Sequence, residues 1–329
     1  MPHTLDVLLL LALPASGKSE VRRYFASLTP EQCRDEMHMG STVQLDDYPY
    51  VHMMRRVSQE LRTMGRDGVF FDSDDLPMKE QRDWGTLIQL VNEDFDDLMK
   101  RNRPAPTSAA AWLLNRFDAA RGSVGAEKPF AALPSDVRSQ LVAALEQESA
   151  ELLRDKNQGI PDSLDGRTIV IEFARGGPDG TKPPLPAPLG YQYSLATLSD
   201  EILSRASILY VWVTPEESRR KNTERTDPND PGSILHHGVP MAVMLGDYGT
   251  DDMEWLIANS GRADTVKVEA RGKSWNIPVA AFDNRVDKTT FVRNDKSAWK
   301  PEQVQALHSG LAGGLEKLAK ADNARVVKS

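Results

Sequence analysis

The chain has 329 residues, a formal net charge of −8 and one cysteine. That length can bury a sizeable core in one large or two modest domains, and the acidic balance argues against general adhesion to nucleic acid while leaving room for a local basic groove. The single Cys33 excludes an intramolecular disulfide framework and a cysteine-based zinc site, and no apolar run reaches the ~18–20 residues that span a bilayer.

Residues 6–13 form an apolar run bounded by Asp6. They predict a short strand buried on both faces. Ala12-Leu-Pro-Ala-Ser-Gly-Lys-Ser19 follows, one residue short of the phosphate-binding pattern G-x-x-x-x-G-K-[ST] because Ala12 stands at its first glycine. From Val21 the residues favour a helix. Strand, tight loop and helix form the context in which such a loop turns backbone N–H groups and a helix dipole toward phosphates. A secretory signal peptide is a competing reading of the same run. It lacks the basic flank, and Asp6 sits at the edge of the apolar core.

Residues 42–45 predict a second strand that ends in Asp46-Asp47. From 48 to 166 there is no convincing strand pattern. Apolar residues recur at helical spacing there, as in Val51, Met54, Val57 and Leu61, and predict three to five helices. The segment is too long for an unstructured loop, so residues 50–160 are expected as a helical insertion in an α/β core. Residues 168–173 predict a third strand with Glu172 near its end. Residues 176–190 contain five prolines and predict an extended loop, either a plain connector or a substrate-facing lid. Leu195, Leu198, Ile202 and Leu203 predict a helix, 207–214 a fourth strand, and Pro215 the first turn of a helix capped by Thr214. Residues 277–282 predict a fifth strand, 266–269 are a candidate extra strand, and 301–320 a closing helix. Strands alternating with helices predict an α/β protein: a five-stranded parallel sheet flanked by helices in three layers, with a large helical insertion after the second strand.

Open sheets of this kind bind ligands beyond the carboxyl ends of their strands. Ala15, Ser16, Gly17, Lys18, Ser19 and Glu20 form the loop and the first helical turn: amides for a nucleotide's phosphates, Lys18 for the terminal phosphates, the Ser19 hydroxyl for Mg²⁺. Asp46 can accept a proton from an acceptor hydroxyl or hold Mg²⁺ through water. An Asp at this position can equally cap the next helix, and both roles are filled if Asp47 caps while Asp46 faces the site. Glu172 is costly to bury without a cation or donors; Mg²⁺, a substrate hydrogen bond or an arginine such as Arg175 can supply one. Arg219, Arg220, Lys221 and Arg225 place four cations on the helix from Pro215. They are either a solvated face or, for the arginines, planar forks for phosphoryl oxygens, with Lys221 expected to be exposed. His236-His237 is expected as a lid or surface feature, and Asp72-Ser-Asp-Asp75 as a helix start near Leu76, with a cation site as its other reading.

These pieces together carry a resemblance. ALPASGKS at 12–19, LDDYP at 45–49, IEFARGG at 171–177 and TPEESRRKNTERT at 214–226 are similar to segments of the P-loop kinases, which phosphorylate small molecules or nucleic acid ends. The resemblance covers roughly residues 1–50 and 165–290. It implies a P-loop NTPase fold over 1–49 and 161–329, with a lid near 214–240; residues 50–160 have no counterpart in it, and their place after the second strand makes them the expected acceptor-binding subdomain. It implies ATP and Mg²⁺ as cofactors, with Ser19, Asp46 and Glu172 toward the metal. Asp46 matches the first Asp of the Asp-Asp-Tyr of polynucleotide kinases, which is their catalytic base. Asp46, Asp47, Glu172 and Arg175 then face the acceptor, although Glu172 and Arg175 stand two residues further apart than the Glu-Arg pair of deoxynucleoside kinases. Lys18, Asp46, Arg219 and Arg225 are the implied catalytic residues, and Asn284 falls where related kinases form part of the adenine pocket. The implied activity is transfer of the γ-phosphoryl group of ATP to a hydroxyl of a small molecule or nucleotide-like acceptor. Long nucleic acid is a poor match to the net charge, a nucleic acid end stays compatible, no membrane partner is expected, and the lone thiol fits a reducing cytoplasm. Two other readings of the same loop stay open: an NTPase that couples hydrolysis to a conformational task, and a nucleotide-binding protein without catalysis.

Overall fold

A computed structural model describes residues 3–225 and 238–326. The chain opens with β1 (Val7–Leu11), whose five side chains are all fully buried. Alternation explains this: Val7, Leu9 and Leu11 enter one hydrophobic core, Leu8 and Leu10 the other. Gly17, in the left-handed region at φ 107, precedes α1 (Lys18–Ser27). A capping box between Thr29 and Gln32 starts α2 (Pro30–Glu36). After β2 (Ser41–Asp46) come four helices: α3 (Tyr48–Thr63), α4 (Asp83–Lys100), α5 (Ala109–Ser123) and α6 (Ser135–Gln158). No helix starts near Leu76; Asp72 pairs with Lys79 at 2.6 Å and Asp74 with Arg62 at 3.1 Å, and α4 begins only at Asp83. The remaining elements are β3 (Arg167–Phe173), α7 (Gly190–Thr197), α8 (Asp200–Arg205), β4 (Ala206–Trp212), α9 (Pro215–Arg225), α10 (Met241–Gly246), α11 (Met253–Ala258), β5 (Thr265–Ala270), β6 (Lys273–Asp283) and α12 (Pro301–Val326). Two 3₁₀ turns, Thr290–Arg293 and Lys296–Ala298, precede the last helix.

The protein is α/β. Its sheet has the order β2-β3-β1-β4-β6-β5, parallel throughout except for β5. Six strands replace the five expected, the candidate extra strand at 266–269 being β5. The difference lies at Arg271-Gly272, both at positive φ (50° and 71°), with Ala270 opposite Lys273. A two-residue turn of this kind matches the twist of a hairpin. It lengthens β6 to 11 residues and adds β5 as an antiparallel edge.

Helices cover both faces. Leu8 and Leu10 meet α1 and α12 through Val21, Tyr24, Leu311 and Leu315. The opposite face meets α4, α7, α8 and α11. A third cluster joins α3 to α6 around Phe70, Phe117 and Phe130. Here α4 serves two layers: Ile88, Val91, Phe95 and Leu98 face the sheet, while Trp84, Leu87 and Leu90 face the other helices. Of the helices between β2 and β3, α4 is thus part of the sheet's own covering. No helix among the described residues is long and apolar enough to cross a membrane.

Candidate functional site

The three adjacent strands β2, β3 and β1 end side by side. Asp46 of β2 is in register with Glu172 of β3, and Glu172 with Leu10 of β1. The chain leaving β1 turns tightly into α1, with Ala15 at φ 55 and Gly17 at φ 107. A Cβ on Gly17 would lie 2.5 Å from Thr289 Oγ1 and 2.9 Å from Asn284 Nδ2, so the turn requires glycine on both counts. The loop is held from behind. Asn284 Nδ2 donates to the Ser16 carbonyl at 2.8 Å and to Thr289 Oγ1 at 2.9 Å, and Ser218 Oγ of α9 donates to the Pro14 carbonyl at 2.7 Å. Lys18, 9% exposed, folds back so that Nζ donates to the Ala12 carbonyl at 3.0 Å. The N–H groups of the first helical turn have no partner within the helix, which leaves the loop receptive to an anion.

A cavity of 1190 Å³ lies over this loop. Residues 14–20 line it, together with Arg22, Asp46, Asp47, Glu172, one face of α3, Arg225 and residues 238–240. Lys18, Ser19, Asp46 and Glu172 therefore share one space. Arg22 joins them: its Nη1 is 2.8 Å from Glu172 Oε2 and 3.4 Å from Asp46 Oδ2. Sequence reasoning missed this residue, although its position four after Lys18 on one helix face was a usable signal. Glu172 thus pairs with Arg22 and not with Arg175. Glu20 also lines the cavity, but Arg293 holds its carboxylate at 2.6 Å.

Other expected residues are placed differently. Asp46 takes the helix-start hydrogen bond, its Oδ1 accepting from Tyr48 N at 2.8 Å, while Asp47 makes no side-chain cap bond. Asp47 instead pairs with Arg175 at 2.6 Å. Arg175 is 2% exposed, donates from Nε to Ser194 Oγ at 3.0 Å and faces the rings of Trp84 and Phe173. It lies behind the cavity wall and braces it. Asn284, fully buried, likewise supports the loop and does not line the cavity. Thr214 Oγ1 caps α9 by accepting from Glu217 N at 3.2 Å. Arg219 turns away to Asp179 at 3.2 Å, whereas Arg225 at the helix end reaches the cavity lining. Lys221 is 2% exposed and pairs with Asp287 at 2.9 Å, contrary to the solvent position expected for it. The loop 176–190 packs against the start and end of the 245–250 segment, Asp179 N donating to the Leu245 carbonyl at 2.8 Å and Gly177 N to that of Thr250 at 2.9 Å. It behaves as a connector and none of its residues lines the cavity. Residues 226–237 of the expected lid, including His236-His237, lie outside the described residues.

The electrostatics follow from crowding charges in a partly buried space. Burial pushes the Asp46 carboxyl up to about 7, and the neighbouring Glu172 and Asp47 add to the effect. Burial also raises Asp47, against the pull of Arg175. It lowers Lys18, a shift that Glu172, Asp46 and Asp47 oppose. Arg225 is lowered by burial as well. Among the described residues no group of three or more His, Cys, Asp or Glu side chains is arranged to hold a metal ion. Two carboxylates and a hydroxyl can hold Mg²⁺ only jointly with a ligand's own oxygens, which is how that ion is commonly bound beside phosphates. Neither a protein-family model nor a curated protein matches the chain.

Proposed function

We propose that the protein is an ATP-dependent phosphotransferase with a P-loop kinase core, moving the γ-phosphoryl group to a hydroxyl of a small molecule or nucleotide-like acceptor. One observation carries this reading: a single cavity joins an anion-receptive loop bearing Lys18 to the carboxylates of Asp46 and Glu172. Phosphoryl transfer asks mainly for positioning and charge stabilisation. The backbone of residues 15–19 and Lys18 position the phosphates, and Asp46 accepts the proton of the acceptor hydroxyl. Arg225 meets charge that develops on the transferred group. Asp46 gives the Mg²⁺ expectation its physical basis, since a carboxyl whose pKa is raised by burial and by neighbouring carboxylates gains from a cation. Ser19, Asp46 and Glu172 would hold the ion, directly or through water, and it would neutralise phosphate charge.

The test is ATP consumption by the purified chain against a panel of hydroxyl compounds. Fast consumption is expected only when an acceptor is present. Equal hydrolysis with and without acceptors would favour a motor-type NTPase, and ATP binding without consumption a binding module. Lys18→Ala is expected to abolish transfer while its circular dichroism and melting curve stay close to the parent's, because the lysine is already partly penalised by burial. Unchanged ATP affinity and turnover in that variant would refute the phosphate-loop assignment.

A further inference from the structure

α3 starts at the strand end that carries Asp46 and runs along the cavity wall, with Tyr48, His52, Arg55 and Gln59 lining it. Their spacing of four, three and four residues makes one helical stripe. The two arginines of this stretch differ. Arg56 is neutralised by Glu60 at 2.7 Å and Glu148 at 2.8 Å. Arg55 lies 4.1 Å above the Phe71 ring and, among the described residues, donates to the main-chain carbonyl of Asp74 at 2.5 Å. The Asp74 carboxylate is taken by Arg62 at 3.1 Å and Gln59 at 2.5 Å. Among the described residues no carboxylate forms an ion pair with Arg55. Burial lowers its pKa, and nearby Tyr248, Asp74, Asp247 and Tyr48 oppose the effect without forming an ion pair.

Of the other cavity-lining acids, Glu20 is answered by Arg293 and Asp47 by Arg175 from outside the cavity, and Glu172 and Asp46 by Arg22 within it. Arg55 is therefore a half-buried cation with fork donors left for a planar or tetrahedral oxyanion. Between it and Asp46 in the chain stands Tyr48, which is 46% exposed while lining the cavity. Seven residues of helix separate Tyr48 from Arg55, roughly 10 Å of rise, and the N-terminal lean of helix side chains brings Arg55 back toward the strand end that carries Asp46.

We infer that the acceptor is an anionic alcohol: its hydroxyl sits at Asp46, and a phosphate or carboxylate on the same molecule is held by Arg55. The inference rests on the phosphotransfer reading for the hydroxyl and on Arg55 alone for the anion. Two measurements separate them. In the first, ATP consumption is followed with matched acceptors: adenosine against adenosine 3′-monophosphate, and glucose against glucose 6-phosphate and glucuronate. The anionic members are expected to be preferred, and the phosphate and carboxylate arms identify which oxyanion fits. Arg55→Gln should raise KM for the preferred anionic acceptor by about tenfold or more, the scale of a lost charged hydrogen bond, with Arg55→Lys in between. Preference for neutral acceptors, or an unchanged preference in Arg55→Gln, overturns the inference. In the second, inorganic phosphate is titrated into Lys18→Ala and into Lys18→Ala/Arg55→Gln by calorimetry, which needs no turnover. Binding that survives the first variant and is lost in the second upholds the anion site even if no acceptor is consumed. Equal binding in both removes it.

Discussion

At the scale of the residue, Asp46 is governed by what surrounds it: a second carboxylate in register on the next strand, the Asp47 carboxyl beside it and one guanidinium shared with Glu172. Its pKa in the fold, about 7, stands above the ordinary value of 3.8. A carboxyl raised in this way favours the protonated fold. Its contribution to stability is complete below about pH 4 and is lost as pH rises through about 7. Asp46→Asn imitates the protonated form, so its melting temperature should exceed the parent's near pH 8 and converge with it near pH 4. Activity should move the other way. The parent's turnover should fall as pH drops below about 7, and Asp46→Asn should cost roughly 10²–10⁴ in turnover with ATP affinity nearly intact. A variant that keeps its rate would mean the acceptor is activated elsewhere.

At the scale of the element, α9 separates two arginines that one motif presents together. Residues 219 and 225 are six apart, which sets their directions about 120° from each other on a regular helix. The structure follows that geometry: Arg219 pairs with Asp179 outside the cavity, and Arg225 lines it. The expectation that both act at the phosphates is accordingly narrowed to Arg225. Steady-state kinetics should show Arg219→Gln turning over close to the parent, and Arg225→Gln losing about tenfold or more in turnover with a smaller change in ATP affinity. Equal losses in both variants would require α9 to re-aim Arg219 when ligands bind.

At the scale of the whole molecule, Arg175 fastens the helices between β2 and β3 to the sheet. It leaves the end of β3, pairs with Asp47 at the head of α3, faces Trp84 of α4 and donates to Ser194 of α7. A buried pair of this kind adds little net stability, yet removing one partner strands a charge. Arg175→Ala should destabilise the fold by about 3–5 kcal/mol in urea unfolding, and the double variant Asp47→Leu/Arg175→Met should recover most of the loss. A small effect of the single change would mean that water reaches Asp47 freely.

The sequence by itself determined most of the strands and the longer helices, because burial on one or both faces writes a period into the chain. The apolar runs at β1, β3 and β4 and the helical spacing of Val51, Met54, Val57 and Leu61 were legible for that reason. It also marked the turn at Gly17 and the acids that end β2 and β3. Residues 266–269 were legible as a candidate extra strand and form β5, but the hairpin at Arg271-Gly272 that joins it to β6 was missed because no strong turn dipeptide announces it. What only the tertiary structure decided is which charge answers which. Arg22 closes on Glu172 across 150 residues, Arg293 on Glu20 across 273 and Arg175 on Asp47 across 128, while Arg55 is left with a carbonyl and a ring. Local periodicity records whether a side chain is buried, not what it meets there. The partner of a buried charge is set by how distant elements pack, and that packing separates the residues that face the cavity from those that hold it in shape.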